Sequence, residues 1–139
     1  MNYASFWSRC LASLLDDIIV YILAYMAGAV AGSIFGAIGV ATTARGFSAL
    51  GFMVGVVVAW LYGALLESSP KQATLGKQAL GIVVTDLNGD RISFGRATGR
   101  HFAQMLSALL LLIGYLMAAF TEKKQALHDI IAGTLVVNR

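Results

Sequence analysis

The run Ile18–Ala44, IIVYILAYMAGAVAGSIFGAIGVATTA, holds 27 consecutive residues without a Lys, Arg, Asp, Glu or His. A hydrocarbon core of about 30 Å needs about 20 helical residues at about 1.5 Å rise each, so this run is long enough to cross a bilayer. Gly46–Leu66 supplies a second uncharged run of 21 residues, and Phe102–Phe120 a third of 19. Transmembrane β-strands alternate apolar and polar residues, whereas these runs are apolar all round, which argues against a barrel. Arg9, the apolar run from Ile18 and Ala29-Val30-Ala31 superficially resemble a signal peptide with its cleavage site. Asp16 and Asp17 sit where such a peptide is basic or apolar, and hydrophobicity continues well past the cleavage point, so the segment reads as a retained first helix.

Composition agrees. Of 139 residues, 58% are hydrophobic and 12% charged, with a mean hydropathy of +0.77. Soluble domains carry about twice that charge, and disordered chains have the opposite balance. A net charge of +3 is too small to indicate nucleic-acid binding. The lone Cys10 can form neither an internal disulfide nor, by itself, a zinc site. One Pro and 15 Gly without a Gly-X-Y period exclude collagen-like and proline-rich segments.

The glycines instead follow a helical spacing. Ala24, Gly28, Gly32 and Gly36 recur every four residues, as do Gly51, Gly55, Ala59 and Gly63. Small residues let membrane helices approach closely, so the expectation is a stripe-to-stripe antiparallel pair, with a homo-oligomeric contact as the alternative.

The sequence divides into helix 1 (10–41), helix 2 (46–66), a basic connector (67–101), the third apolar segment (102–120) and a tail (121–139). In the connector, Ile82–Thr85 and Arg91–Phe94 flank Asp86-Leu87-Asn88-Gly89-Asp90, which predicts a β-hairpin. Gly133–Val137 is another β-like run that could add a third strand. Three full crossings would put connector and tail on opposite sides of the membrane. Arg9 and five connector cations would then oppose Arg45, Lys123, Lys124 and Arg139. If 102–120 enters and returns as a hairpin bending near Gly114, nine cations share one face and Arg45 alone lies outside, as the positive-inside rule favours. Both readings keep the N-terminus and connector cytoplasmic. The predicted fold is all-α transmembrane: two spanning helices, a third spanning or re-entrant helical segment, and a small cytoplasmic β-hairpin between helices 2 and 3.

Few polar groups border these helices. Arg9 and Asp16 are seven apart, nearly on one helical face and about 10 Å apart along the axis, close to pairing reach. An ionised Asp deep in hydrocarbon costs about 2.5–3.5 kcal/mol, so Asp16 is either a functional carboxylate or a helix-start residue in the headgroup zone. Asp17, about 80° to one side of Arg9 by helical geometry, favours the headgroup role. Arg96 and Arg100, at i,i+4, suit lipid phosphates, or one of them balances Asp16 or Asp129 in a buried network. His128 beside Asp129 could relay protons, since His titrates near neutrality, or act as a structural contact.

Enzyme motifs are missing from the sequence: there is no Gly-x-Ser-x-Gly, no His-Glu-x-x-His and no paired cysteines. Thr74-Leu75-Gly76-Lys77 ends like a phosphate loop, but Lys71 occupies the position of its first glycine and Gln78 replaces the Ser or Thr. Asp86-x-Asn88-x-Asp90 begins like a calcium loop, yet Arg91 stands where glycine is needed. No catalytic residue, metal site or cofactor is expected.

Arg9 heading the first membrane helix, Asp16 within it, Thr74-Leu75-Gly76-Lys77 leading to Gly81-Ile82-Val83-Val84, and Gln125-x-Leu127-His128-Asp129-x-x-Ala132-Gly133-Thr134-x-Val136-Val137 together resemble the RDD family of bacterial and archaeal membrane proteins. The resemblance covers nearly the whole chain. It implies that Arg9 is the family's Arg, Asp16 its first Asp, and Asp17 or Asp129 its second. Some members are assigned exchange of monovalent cations for protons. The resemblance therefore implies a multi-pass protein of the plasma (inner) membrane. Its expected activity is Na+/proton antiport as a homo-oligomer, with Asp16, Asp129 and Asp17 as cation- or proton-binding candidates and Arg9 as charge partner. A non-transporting adaptor that binds a partner protein or anionic lipid is the alternative.

Overall fold

The computed structural model describes residues 2–39, 44–109 and 113–139. Two long helices dominate: α1 (Phe6–Ala37) and α2 (Ala44–Glu67), packed against each other. Both are long and apolar enough to cross a membrane. At 1.5 Å per residue α1 is about 48 Å long, more than the hydrocarbon requires, so part of it stands outside. Its start is set by Ser5, whose hydroxyl accepts from the Ser8 N–H at 3.1 Å. Thus α1 begins four residues before the expected position 10; the expected end at 41 lies outside the described residues.

Short elements follow: α3 (Leu75–Ala79), β1 (Ile82–Asp86), α4 (Phe94–Leu109), α5 (Ile113–Phe120), α6 (Leu127–Ala132) and β2 (Thr134–Asn138). The described parts of the third apolar segment belong to α4 and α5. The described helices α4 and α5 are about 24 Å and 12 Å long. The expected bend adjoins residues 110–112, outside the described residues. Trp60 of α2 holds α4, donating to the Thr98 hydroxyl at 3.0 Å and packing beside Phe94 and Phe102.

The expected hairpin is overturned. β1 pairs antiparallel with β2, Ile82 opposite Asn138 and Asp86 opposite Thr134. The Asp86–Asp90 turn does form, with Asp86 accepting from the Asn88 and Asp90 N–H groups at 2.8 and 2.9 Å. After it, however, Ser93 caps α4 by accepting from the Arg96 N–H at 3.2 Å, so Phe94 opens a helix. Burial explains the choice of partner. Ile82 and Val84 pack with Ala4, Ile92 and Val136, while Val83 packs on the other face with Ala73, Leu135 and Val137. A strand buried on both faces needs an apolar partner, which Leu135-Val136-Val137 supplies and Arg91-Ile92-Ser93 does not.

The segment before α1 joins the same sheet: Ala4 donates to Val136 O at 2.9 Å, and Asn138 donates to Asn2 O at 2.8 Å. Residues 2–4, the connector strand and the tail strand therefore meet in one small cap.

Among the described residues, the stripes do not meet closely at Gly28, Gly51 or Gly55. Tyr21, Ala24, Gly28, Leu50 and Gly51 line an open groove of about 420 Å³ between α1 and α2. No heavy atom outside the local helix backbone lies within 4 Å of a Cβ built on Gly28, Gly51 or Gly55.

Candidate functional site

Below the cap, α1, α2, α3, α4 and α6 bring five ionic side chains into one chain of contacts. Asp129 takes the Arg9 guanidinium on Oδ2, while Arg100 reaches its Oδ1 at 3.0 Å from Nε and 2.9 Å from Nη2. Arg100 also donates through Nη1 to both oxygens of Glu67 at 2.9 Å, and Glu67 in turn pairs with Lys77. Asp129 is fully buried and Arg100 nearly so. Asp129 closes the first turn of its own helix as well, its Oδ2 accepting from the Ala126 N–H at 3.0 Å. Gly133 ends that six-residue helix at φ 64°, a conformation that favours glycine, and so turns the chain directly into β2.

Removing one partner of a buried ion pair costs about 3–5 kcal/mol, although the intact pair adds little over an apolar replacement. The network therefore fixes which elements meet more than it adds stability. Burial alone would raise the Asp129 carboxyl, but the Arg100 and Arg9 guanidiniums outweigh it and hold Asp129 well below the usual carboxylate range. Burial, reinforced by Arg100, pushes His128 down to about 3. His128 consequently remains neutral at cellular pH, contrary to the expectation of titration near neutrality. Burial and Arg100 also lower the Lys77 ammonium against the opposing pull of Glu67.

Asp16 occupies a separate cradle. Its Oδ1 accepts from the Tyr62 hydroxyl and the Gly76 N–H, each at 2.8 Å, and its Oδ2 from the Thr74 hydroxyl at 2.5 Å. The expected Arg9–Asp16 pair does not form: Arg9 turns to Asp129 and to the Lys124 carbonyl, at 2.8 Å from Nη1. The reason is axial separation along α1, because α3 reaches Asp16 from the connector while α6 reaches Arg9. Gly76 is essential to this docking. A Cβ there would stand 2.3 Å from Ala12 O and 2.7 Å from Asp16 Oδ1.

Network and cradle border the same cavity of about 530 Å³, whose walls include Arg9, Asp16, Asp17, Glu67, Lys77 and Arg100 alongside Leu14, Val20, Ala59 and Leu116. Asp17 is otherwise exposed. Arg96 is exposed and lies outside this group, whereas Arg100 is buried away from lipid phosphates. Sequence reasoning missed Glu67, Lys77, Tyr62, Thr74 and Gly76. The available signals were a carboxylate following a 21-residue apolar run and the Thr-Leu-Gly-Lys string, which reads as a failed phosphate loop and as part of the family resemblance but assigns its residues no role.

The chain resembles two Bacillus subtilis (strain 168) proteins. It is 40% identical to the uncharacterized protein YxaI, with 96% of each chain covered. It is 29% identical to the uncharacterized membrane protein YteJ, over 98% of this chain and 81% of YteJ. No solved structure matches. The RDD family model matches residues 3–133, a span that includes α1 with Arg9 and Asp16, the α3 clip and the Asp129 helix. On that match and the near end-to-end likeness to YxaI, the chain belongs to the RDD family.

Proposed function

We propose that this membrane protein exchanges a monovalent cation for a proton at Asp16, with the cap and the ionic network on the cytoplasmic side and several copies acting together. The observation that carries this reading is the contrast between two kinds of carboxylate beside one cavity. Glu67 and Asp129 are neutralised by Arg9, Lys77 and Arg100, while Asp16 borders the cavity with only neutral donors around it. A carboxylate without a fixed counter-charge can take either a proton or a cation, and intramembrane ionisable groups commonly mark such paths. The Thr74 and Tyr62 hydroxyls can turn lone pairs toward a bound cation, since hydroxyls both donate and accept.

The pairing of connector with tail supports a re-entrant α4–α5 segment, because a single crossing between them would separate β1 from β2. With that topology nine of the ten Lys and Arg share one face, as expected for the cytoplasmic side. Two spanning helices enclose no path by themselves, and α1 exposes Tyr21, Tyr25, Val30 and Ile34 around its length, which supports oligomeric assembly.

A second reading, a non-transporting adaptor that binds a partner protein or anionic lipid through its cap, is favoured by the internal partners already present for each carboxylate and cation of the network. Proteoliposomes separate the two. Exchange driven by a pH gradient, present in the wild type and lost in Asp16→Asn with folding retained, is the expected result. Absence of exchange from correctly folded wild-type protein would leave the adaptor.

A further inference from the structure

The cavity has the size and lining of a small-molecule site more than those of a bare-ion site. Its volume of about 530 Å³ falls inside the range of roughly 300–1,000 Å³ typical of pockets for organic ligands. Leu14, Val20, Ala59 and Leu116 contribute an apolar wall. A hard metal ion requires a tight shell of oxygens, but no group of three or more His, Cys, Asp or Glu among the described residues converges to hold one. The Asp16 oxygens already accept three hydrogen bonds, leaving about one of a carboxylate's four lone-pair sites open.

Charge balance adds an independent constraint. Arg9, Lys77 and Arg100 face the four carboxylates Asp16, Asp17, Glu67 and Asp129, so the site with every group ionised carries one uncompensated negative charge. His128, held neutral, and His101, which also lines the cavity and is lowered by burial, do not alter that balance. One monovalent cation, or one proton, restores neutrality. The cations cannot supply an anion site without breaking their pairs with Glu67 and Asp129, which are buried and costly to expose.

We propose that the cavity between α1, α2 and α4 binds a monovalent organic cation with an apolar body, of the lipophilic amine or phosphonium class, whose charge faces Asp16 and whose body lies against Val20, Ala59 and Leu116. This rests on the cation/proton reading and names its cargo. Cargo and proton compete for one carboxylate, so each displaces the other and no covalent step is involved. Asp17, at the same wall, sets the second negative charge that attracts the cation into the cavity.

Tetraphenylphosphonium, measured by equilibrium dialysis on the purified full-length protein in detergent, tests the assignment. The expected result is saturable binding that weakens on acidification, falls roughly tenfold in Ala59→Phe, which narrows the apolar wall, and is lost in Asp16→Asn. Size-exclusion profiles matching the wild type establish that both variants are folded, and Ala59→Phe keeps the test valid should Asp16→Asn misfold. Equal binding by the wild type and Ala59→Phe means partition into the micelle and overturns the proposal. Absence of phosphonium binding alongside Asp16-dependent Na+/proton exchange in proteoliposomes also overturns it, while leaving the cation/proton reading intact. Absence of both removes that reading as well.

Discussion

Asp129 and His128 are neighbours in the chain and are both buried, yet burial acts on them differently. Asp129 has Arg9 and Arg100 against it and stays ionised; His128 meets the same cationic surroundings and stays neutral. The consequence is acid lability. An unfolded His takes up a proton near pH 6.5, which the folded His128 refuses until about pH 3, so its contribution to stability is lost as pH falls through that window. The slope approaches about 1.4 kcal/mol per pH unit, or about 2 kcal/mol between pH 6.5 and 5. Asp129, with its pKa depressed, adds further loss below its ordinary value of 3.8. Thermal unfolding in detergent should therefore show a midpoint that drops from pH 7.5 to pH 5 in the wild type and drops less in His128→Gln; equal slopes would contradict the assignment. The sequence identified Arg9, Asp16 and Asp129 as the charges to explain. It did not reveal how they pair, because α3 and α6 approach α1 from distant parts of the chain.

At the scale of elements, the alternation and turn chemistry of 82–94 describe a hairpin, and the turn is real. What local pattern cannot measure is two-sided burial. Ile82–Thr85 is buried on both faces, and the tail strand outcompetes Arg91–Phe94 because its Leu135-Val136-Val137 centre is apolar. Register partners in such a ladder have Cα atoms about 4.5–5.5 Å apart, within disulfide range. In a Cys10→Ser background, Val84→Cys with Val136→Cys should oxidise to an intrachain disulfide detectable by mass, since these positions face each other. Val83→Cys with Ser93→Cys, a pair that a hairpin would bring together, should crosslink markedly less, because Val83 packs on the opposite face of the sheet from Ile92. The Gly and Ala stripes illustrate the opposite limit: their periodicity is plain in the sequence, but at Gly28 and Gly51 it does not translate into close contact between α1 and α2.

For the whole molecule, the cap ties residues 2–4, the connector and the tail together, and that union supports the proposed re-entrant topology. Asn138, the last residue of β2, is exposed. With Asn138→Cys in the Cys10→Ser background, a membrane-impermeant maleimide should label the protein only after cells are opened; labelling from outside intact cells would defeat the re-entrant topology. The sequence by itself determined the membrane-embedded class, the two long helices and the short list of charges, because hydrophobic run length and charge scarcity are local properties that the bilayer reads directly. Only the tertiary structure decided which strand pairs with β1, that Arg9 binds Asp129 and not Asp16, and that Thr74 and Gly76 hold Asp16. Those choices depend on contacts between residues 48 to 120 positions apart, where burial and charge pairing outweigh anything the neighbouring residues specify.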